Sequence, residues 1–140
     1  MTRLFLDANI LFSAAWRNDS PADLLFQLCK GDHGYELITS AFALEEASRN
    51  IQIKRPERRT ALQELSTQIS FSRIPNASAM AAASKHGLPE KDIPILAAAI
   101  TAGAQGLVTG DRKHFGSLYG RHVNGVQVLT LAAALQRIVS

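Results

Sequence analysis

The sequence of 140 residues has the usual length of one compact domain, and its hydrophobic fraction of 46% is enough to form a core. With 15 Lys and Arg residues against 12 Asp and Glu residues, the formal net charge of +3 permits a phosphate-rich partner without requiring one. Cys29 is the single cysteine, which excludes an intrachain disulfide and a cysteine-based zinc cluster and fits a reducing compartment. We predict one domain over residues 1–140.

The apolar N-terminal stretch, residues 4–16, does not resemble a targeting segment. Asp7 and Asn9 interrupt it, and it has neither the basic start nor the small-residue cleavage site of a signal peptide. No other stretch reaches the roughly 18 uninterrupted apolar residues that a membrane span needs. We therefore expect a cytoplasmic protein without a membrane segment.

The first half of the chain alternates short apolar runs with segments of helical spacing. Residues 3–6 predict a strand that stops at Asp7, and a helix opens at Asn9. Ser20 caps a second helix, which closes at Gly31. The pattern then predicts a strand over Tyr35 to Thr39, a helix capped by Ser40 that runs to about Ile53, a helix from Glu57 to about Ile69 and a third strand over Phe71 to Ile74.

The second half continues this alternation. The pattern predicts an alanine-rich helix from Asn76 to His86, an apolar helix from Asp92 to Ala102, a brief strand over residues 107–109, a last strand over residues 126–129 and a C-terminal helix capped by Thr130. Short apolar strands that alternate with longer helices favour an α/β fold, with a parallel sheet covered by helices on both faces.

Several acidic residues lie where such a fold binds ligands. Asp7 directly follows the first strand, Asp111 follows the strand over residues 107–109 after one glycine, and Asp92 begins a helix. Ligands of an open parallel sheet bind beyond the carboxyl ends of the strands, so the first two carboxylates should meet at one edge. Taken singly, each of these aspartates is more often a helix cap or a turn residue.

Carboxylates that meet without a counter-ion repel and raise one another's pKa values. A divalent cation removes that repulsion. Because no histidine pair at metal-binding spacing accompanies the acids, all-oxygen ligation favours Mg²⁺ or Mn²⁺ over Zn²⁺.

Four segments resemble the successive motifs of the PIN-domain nucleases, in order and over nearly the whole chain. They are residues 6–11, 40–46, 91–97 and 107–111. The resemblance implies a Rossmann-like PIN domain with a central parallel sheet. It also implies an acidic pocket that holds one or two divalent metal ions for phosphodiester hydrolysis.

Carried over position by position, the resemblance assigns roles to six residues. The implied metal ligands and catalytic acids are Asp7, Glu46, Asp92 and Asp111. Glu46 is preferred to the adjacent Glu45 because it lies six residues after Ser40, although a lone helical Glu is usually solvated. Thr109 matches the hydroxyl that positions a ligand or water. Asn9 matches the asparagine that supports the first aspartate, and a helix-start cap is an equally good interpretation of it.

The sequence departs from the PIN pattern after Asp111. Many family members carry a further acid a few residues later, whereas here His114 stands near that position, which leaves a second metal ion an open question. Arg112, Lys113 and His114 are candidate contacts for the RNA backbone, and His114 could instead pack beside Phe115.

The function that the resemblance implies is a Mg²⁺- or Mn²⁺-dependent endoribonuclease, resembling the virulence-associated protein C (VapC) toxins of type II toxin–antitoxin systems. Its implied partners are RNA, a cognate antitoxin and a second copy in a homodimer. A PIN nuclease of RNA processing and a PIN scaffold that binds RNA without cutting it are alternatives. A receiver-like phosphoacceptor domain fits poorly, because no acidic pair follows an early strand.

Overall fold

The computed structural model describes residues 1–31 and 34–140, which build one six-stranded sheet. Its strands are β1 (Thr2–Leu6), β2 (Tyr35–Thr39), β3 (Ser70–Phe71), β4 (Gly106–Val108), β5 (His122–Val123) and β6 (Val126–Leu129). They lie in the order β3-β2-β1-β4-β6-β5, and every pairing is parallel except that of β5 with β6. The predicted α/β fold with a central parallel sheet is confirmed.

The helices of the described residues pack in two groups. They are α1 (Ala8–Trp16), α2 (Pro21–Cys29), α3 (Ala41–Lys54), α4 (Arg59–Ser66), α5 (Ala77–Ala83), α6 (Ile93–Thr101), α7 (Arg112–Phe115) and α8 (Leu131–Val139). Helix α1 packs against α2, α3 and α4, whereas α5 packs against α6. Within residues 1–31 and 34–140, no helix has both the length and the hydrophobicity to span a membrane.

Predicted capping residues explain where four of the helices begin. The Oγ atoms of Ser20 and Ser40 each accept a hydrogen bond at 3.1 Å from the backbone N–H three residues later. Asn76 Oδ1 and Thr130 Oγ1 do the same at 2.7 and 3.0 Å. Each side chain satisfies a backbone donor that the first turn of a helix leaves without an intrahelical partner.

Three predicted elements are shorter than the sequence pattern suggested. Helix α5 ends at Ala83 rather than His86, because Ser84–His86 forms a 3₁₀ turn. Helix α4 begins at Arg59 rather than Glu57 because Pro56–Arg58 forms a 3₁₀ turn, in which Arg58 donates to Ala15 O at 2.6 Å. It ends at Ser66 rather than near Ile69. Strand β3 covers Ser70–Phe71 rather than residues 71–74, and Ser72 N still donates to Thr39 O at 2.8 Å.

Strand β5 and its hairpin with β6 were not among the predicted elements. Asn124 and Gly125 join the two strands with φ angles of 49° and 84°. An Asn-Gly pair between two apolar residues is a strong signal for a two-residue type I′ turn, in which both central residues have positive φ. The signal was therefore present in the sequence.

Gly106 sits where β4 passes closely between β1 and β6. A Cβ at this position would lie 2.9 Å from both Leu4 Cδ2 and Leu129 Cδ1. We expect Gly106→Ala to lower the free energy of unfolding by about 1–3 kcal/mol in urea titrations, because both buried leucines must move. Gly116→Ala is the control, since Gly116 has a helical φ of −56° and a Cβ there would meet no described side chain within 4 Å. Equal stability of the two variants would contradict the packing argument.

Candidate metal centre

The candidate site lies where the strand order reverses. Chain order runs from β1 to β2 and β3 on one side, and from β4 to β6 on the other. Leu6 pairs with Val108 across β1 and β4, and Asp7 N donates to Val108 O at 3.0 Å. Asp7 and Thr109 are therefore the first residues beyond the carboxyl ends of two adjacent parallel strands. Open α/β sheets bind ligands in this crevice.

Asp7 is buried and held by three donors. The residue is 4% exposed. Oδ1 accepts from Ala8 N at 2.7 Å, and Oδ2 accepts from Thr109 Oγ1 at 2.8 Å and from Asn9 Nδ2 at 3.2 Å. Asp7 thus caps α1 with one oxygen and is oriented across the crevice by the other.

Asn9 and Thr109 connect the ends of β1 and β4. Asn9 Nδ2 also approaches Thr109 Oγ1 at 3.3 Å, and Asn9 Oδ1 accepts from Gly110 N at 2.7 Å. Thr109 Oγ1 in turn accepts from Asp111 N at 3.2 Å. Because Asp7 is the residue that caps α1, the side chain of Asn9 serves this network instead of a helix cap.

The pKa of Asp7 is raised from 3.8 to about 6, chiefly by burial. The hydrogen bonds from Thr109 and Ala8 oppose this rise, whereas the charges of Asp92 and Glu46 add to it. A carboxylate buried near two others is costly to ionise without a nearby positive charge. The electrostatics of the crevice therefore favour a bound cation.

Asp92 and Asp111 meet at His114. Asp111 caps the short helix α7, because its Oδ1 accepts from His114 N at 3.1 Å, and its Oδ2 lies 2.7 Å from His114 Nδ1. Asp92 is 8% exposed and makes no capping hydrogen bond at the start of α6. Its Oδ2 lies 3.1 Å from the same Nδ1. The alternative that Asp92 is only a helix cap therefore does not hold.

One oxygen of Asp92 has a cation-binding character. Asp92 Oδ2 is buried and accepts no hydrogen bond from the described residues. The pKa of Asp92 is raised by burial and by Asp111, while His114 and Lys91 oppose this rise. One ligand atom each from Asp92, Asp111 and His114 lies within 4.8 Å of the others. These residues fit a divalent cation.

Glu46 and Glu45 point to different parts of the surface. Glu46 is half-buried on α3, and its charge raises the pKa of Asp7. Glu45 is exposed and lines a groove between α3 and α4. The charge of Glu46 therefore acts on Asp7, and the role of Glu46 as a metal ligand stays a prediction.

Two pairs of basic residues, one on α7 and one between α3 and α4, differ in what they contact. Arg112 and Lys113 are exposed on α7, next to Asp111. Arg55 and Arg58 instead donate to the carbonyl oxygens of Trp16 and Ala15, near the end of α1. Arg55 and Arg58 therefore stabilise a helix terminus. Arg112 and Lys113 are the better candidates for phosphate contacts.

Thr109 offers a test of the network around Asp7. We expect Thr109→Val to lower the free energy of unfolding by about 1.5–3 kcal/mol at neutral pH, because a buried ionised carboxylate loses a donor. Thr39→Val is the matched control, since Thr39 is equally buried and donates to the neutral Leu6 O at 2.8 Å. Urea titrations of both variants measure the difference. A Thr109 variant no less stable than the Thr39 variant would contradict this role.

A family model described as the PIN domain matches residues 3–113 of the chain. The chain therefore belongs to the PIN-domain family, the class of nucleases that its motifs resemble. No curated protein matches it.

Solved structures share its fold. PAE2754 from Pyrobaculum aerophilum has a TM-score of 0.67 at 18% identity, over 99% of this chain and 96% of that chain. VapBC2 from Rickettsia felis, bound to a DNA fragment from their promoter, has a TM-score of 0.63 at 15% identity, over 92% and 98%. FitAcB from Neisseria gonorrhoeae has a TM-score of 0.57 at 19% identity, over 92% and 98%.

Proposed function

We propose that this PIN-domain protein is a metal-dependent endoribonuclease and the toxin of a toxin–antitoxin pair. The observation that carries the proposal is that Asp92 and Asp111 lie within 4.8 Å of each other and that the charges of Asp92 and Glu46 raise the pKa of Asp7, which lies at the reversal of strand order. An acidic crevice of this kind suits a divalent cation, and the family membership of the chain points to phosphodiester hydrolysis as its use.

Hydrolysis of a phosphodiester requires a deprotonated water in line with the leaving oxygen, and relief of charge on the phosphoryl oxygens. Mg²⁺ or Mn²⁺ supplies both when bound. In this proposal Asp7, Glu46, Asp92 and Asp111 hold the cation. Thr109 and Asn9 fix the carboxylate of Asp7 through the hydrogen bonds described above. The expected products carry 5′-phosphate and 3′-hydroxyl ends.

The substrate must approach a crevice lined with negative charge. Arg112 and Lys113, exposed beside Asp111, would bind backbone phosphates and offset that repulsion. Phe42 is 47% exposed near the start of α3 rather than part of the core, so its ring is available to stack on a base. Single-stranded RNA presents both phosphates and unstacked bases.

The proposed partners follow from the similar structures. Two of these are VapBC2 from Rickettsia felis and VapBC-1 from nontypeable Haemophilus influenzae. By analogy we propose a small antitoxin as inhibitor and a homodimer as the active assembly, acting in the cytoplasm. Cys29 is buried and free, which is consistent with a reducing compartment.

The experiment that tests the proposal incubates end-labelled single-stranded RNA with wild type and with Asp92→Asn, in Mg²⁺, in Mn²⁺ or with a chelator. We expect cleavage by the wild type in the presence of metal only, and none by the variant. Equal RNA binding by both proteins without metal-dependent cleavage would instead identify a non-cleaving scaffold. Phosphorylation of Asp7 by a small phosphodonor would indicate a receiver-like domain.

The toxin assignment needs a separate experiment, because a PIN nuclease of RNA processing would give the same cleavage result. We expect induced expression of the wild type to arrest growth of a bacterial host, whereas Asp92→Asn has no such effect. Cleavage in vitro without growth arrest would favour RNA processing.

A further inference from the structure

His114 departs from the all-oxygen character of the candidate metal centre. Its Nδ1 atom lies 2.7 Å from Asp111 Oδ2 and 3.1 Å from Asp92 Oδ2, and its side chain is 23% exposed. The imidazole is therefore directed into the crevice, between two carboxylates that come from different parts of the chain.

One proton on Nδ1 cannot satisfy both carboxylates. A carboxylate oxygen only accepts, so a hydrogen bond from Nδ1 requires the proton to lie on that nitrogen. The shorter contact, from Nδ1 to Asp111 Oδ2, takes this proton. Asp92 Oδ2 then remains buried without a hydrogen-bond donor among the described residues. A cation held by all three side chains would satisfy every one of these atoms.

The distances between the ligand atoms agree with this arrangement. Ligands about 2.1 Å from an octahedral cation lie about 3 Å from their neighbours. The two separations from Nδ1, 2.7 and 3.1 Å, are close to that value. The backbone also holds Asp111 and His114 next to each other. Asp111 Oδ1 accepts from His114 N, so the carboxylate and the imidazole ring are fixed on the same helical turn.

We propose that His114 binds the divalent cation through Nδ1, together with Asp92 and Asp111, and that this nitrogen ligand makes the site prefer Mn²⁺ or a similar first-row transition metal over Mg²⁺. The inference rests on the metal site of the proposed function. Imidazole suits transition metals, whereas Mg²⁺ prefers oxygen ligands. Nδ1 binds the cation in the neutral tautomer of the ring, which carries its single proton on Nε2.

Pulsed electron paramagnetic resonance of the Mn²⁺-loaded full chain, without RNA, tests the proposal directly. We expect a nitrogen coupling to the bound Mn²⁺ in the wild type that changes when histidine is labelled with ¹⁵N. The coupling is lost in His114→Gln and retained in the control His86→Gln. In calorimetric titrations, His114→Gln should weaken Mn²⁺ binding about tenfold or more and Mg²⁺ binding less.

Mn²⁺ bound by the wild type without nitrogen coupling, or no Mn²⁺ binding by the wild type, would overturn the inference. The labelled wild type gives this answer even if the His114 variant does not fold. The RNA cleavage assay remains independent. A nitrogen-coupled Mn²⁺ ion in a protein that cuts no RNA would uphold the inference and reject the proposed nuclease function.

Discussion

Replacing Asp7 with Asn is expected to lower the rate of metal-dependent RNA cleavage by on the order of 10³-fold. Asn has nearly the same shape, so it leaves the crevice in place, but it removes one of the charges that hold the cation. Asp7 is the proposed ligand fixed most firmly by the fold, because Ala8, Asn9 and Thr109 all donate to it. Single-turnover cleavage of labelled RNA at saturating Mn²⁺ measures the loss.

Asp19→Asn is the matched control for this experiment. It removes the same formal charge from an exposed position outside the crevice, where Asn also tolerates the positive φ of 63°. We expect cleavage by this variant at the wild-type rate. An Asp7→Asn protein that retained cleavage within about tenfold of the wild type would exclude Asp7 from the metal site.

The second large effect concerns stability in the absence of metal. The folded protein keeps a proton on Asp7 up to a pKa of about 6, whereas an unperturbed aspartate releases it near 3.8. The native state therefore binds more protons than the unfolded state between these values, so stability falls as pH rises from about 4 to about 6 and then levels off. At about 1.4 kcal/mol for each pKa unit, this group costs roughly 3 kcal/mol at neutral pH.

We therefore expect Asp7→Asn to be more stable than the wild type at pH 7.5 in chelator, by up to roughly 3 kcal/mol, and to differ little at pH 4. Added Mn²⁺ should raise the stability of the wild type more than that of the variant, because it binds the folded wild type more tightly. Urea titrations across this pH range measure both effects. Wild-type and variant stabilities that run parallel from pH 4 to pH 7.5 would contradict the pKa of Asp7.

The position of two acids could be predicted from the sequence because parallel strands end at one edge. Asp7 and Asp111 follow β1 and β4, and the register of Leu6 with Val108 places the ends of these two strands at the same edge of the sheet. Elements with a clear cap, such as α3 after Ser40, were also predictable to within a residue or two. These features depend on local spacing and on general rules of sheet topology.

The resemblance assigned Asp92 to the metal site, but local spacing alone could not separate that role from a helix cap, because capping depends on backbone geometry that the sequence does not state. Asp7 caps α1 with an extended backbone, at φ −71° and ψ 162°. Asp92 already has helical angles, φ −95° and ψ −14°, after the 3₁₀ turn Glu90–Asp92. Its carboxylate is therefore directed to the crevice rather than to the backbone of α6.

The long basic side chains were equally unpredictable. Arg55 donates to Trp16 O and lies with its guanidinium 5.1 Å from the centre of the Trp16 ring. Arg112, which has the same side chain, is exposed beside the acidic crevice. The contacts of a long arginine side chain are decided only when the helices pack. The presence of an arginine in the sequence therefore does not distinguish a structural contact from a phosphate contact.

The chemistry of the RNA ends tests the central claim most directly. Purified wild type should cleave labelled RNA, in Mg²⁺ or Mn²⁺ only, into products with 5′-phosphate and 3′-hydroxyl ends, and a 2′-deoxy substitution at the cleaved position should not prevent the cut, because water is the nucleophile. Products with 2′,3′-cyclic phosphate ends, or cleavage that persists in chelator, would contradict a nuclease that acts through Asp7, Glu46, Asp92 and Asp111.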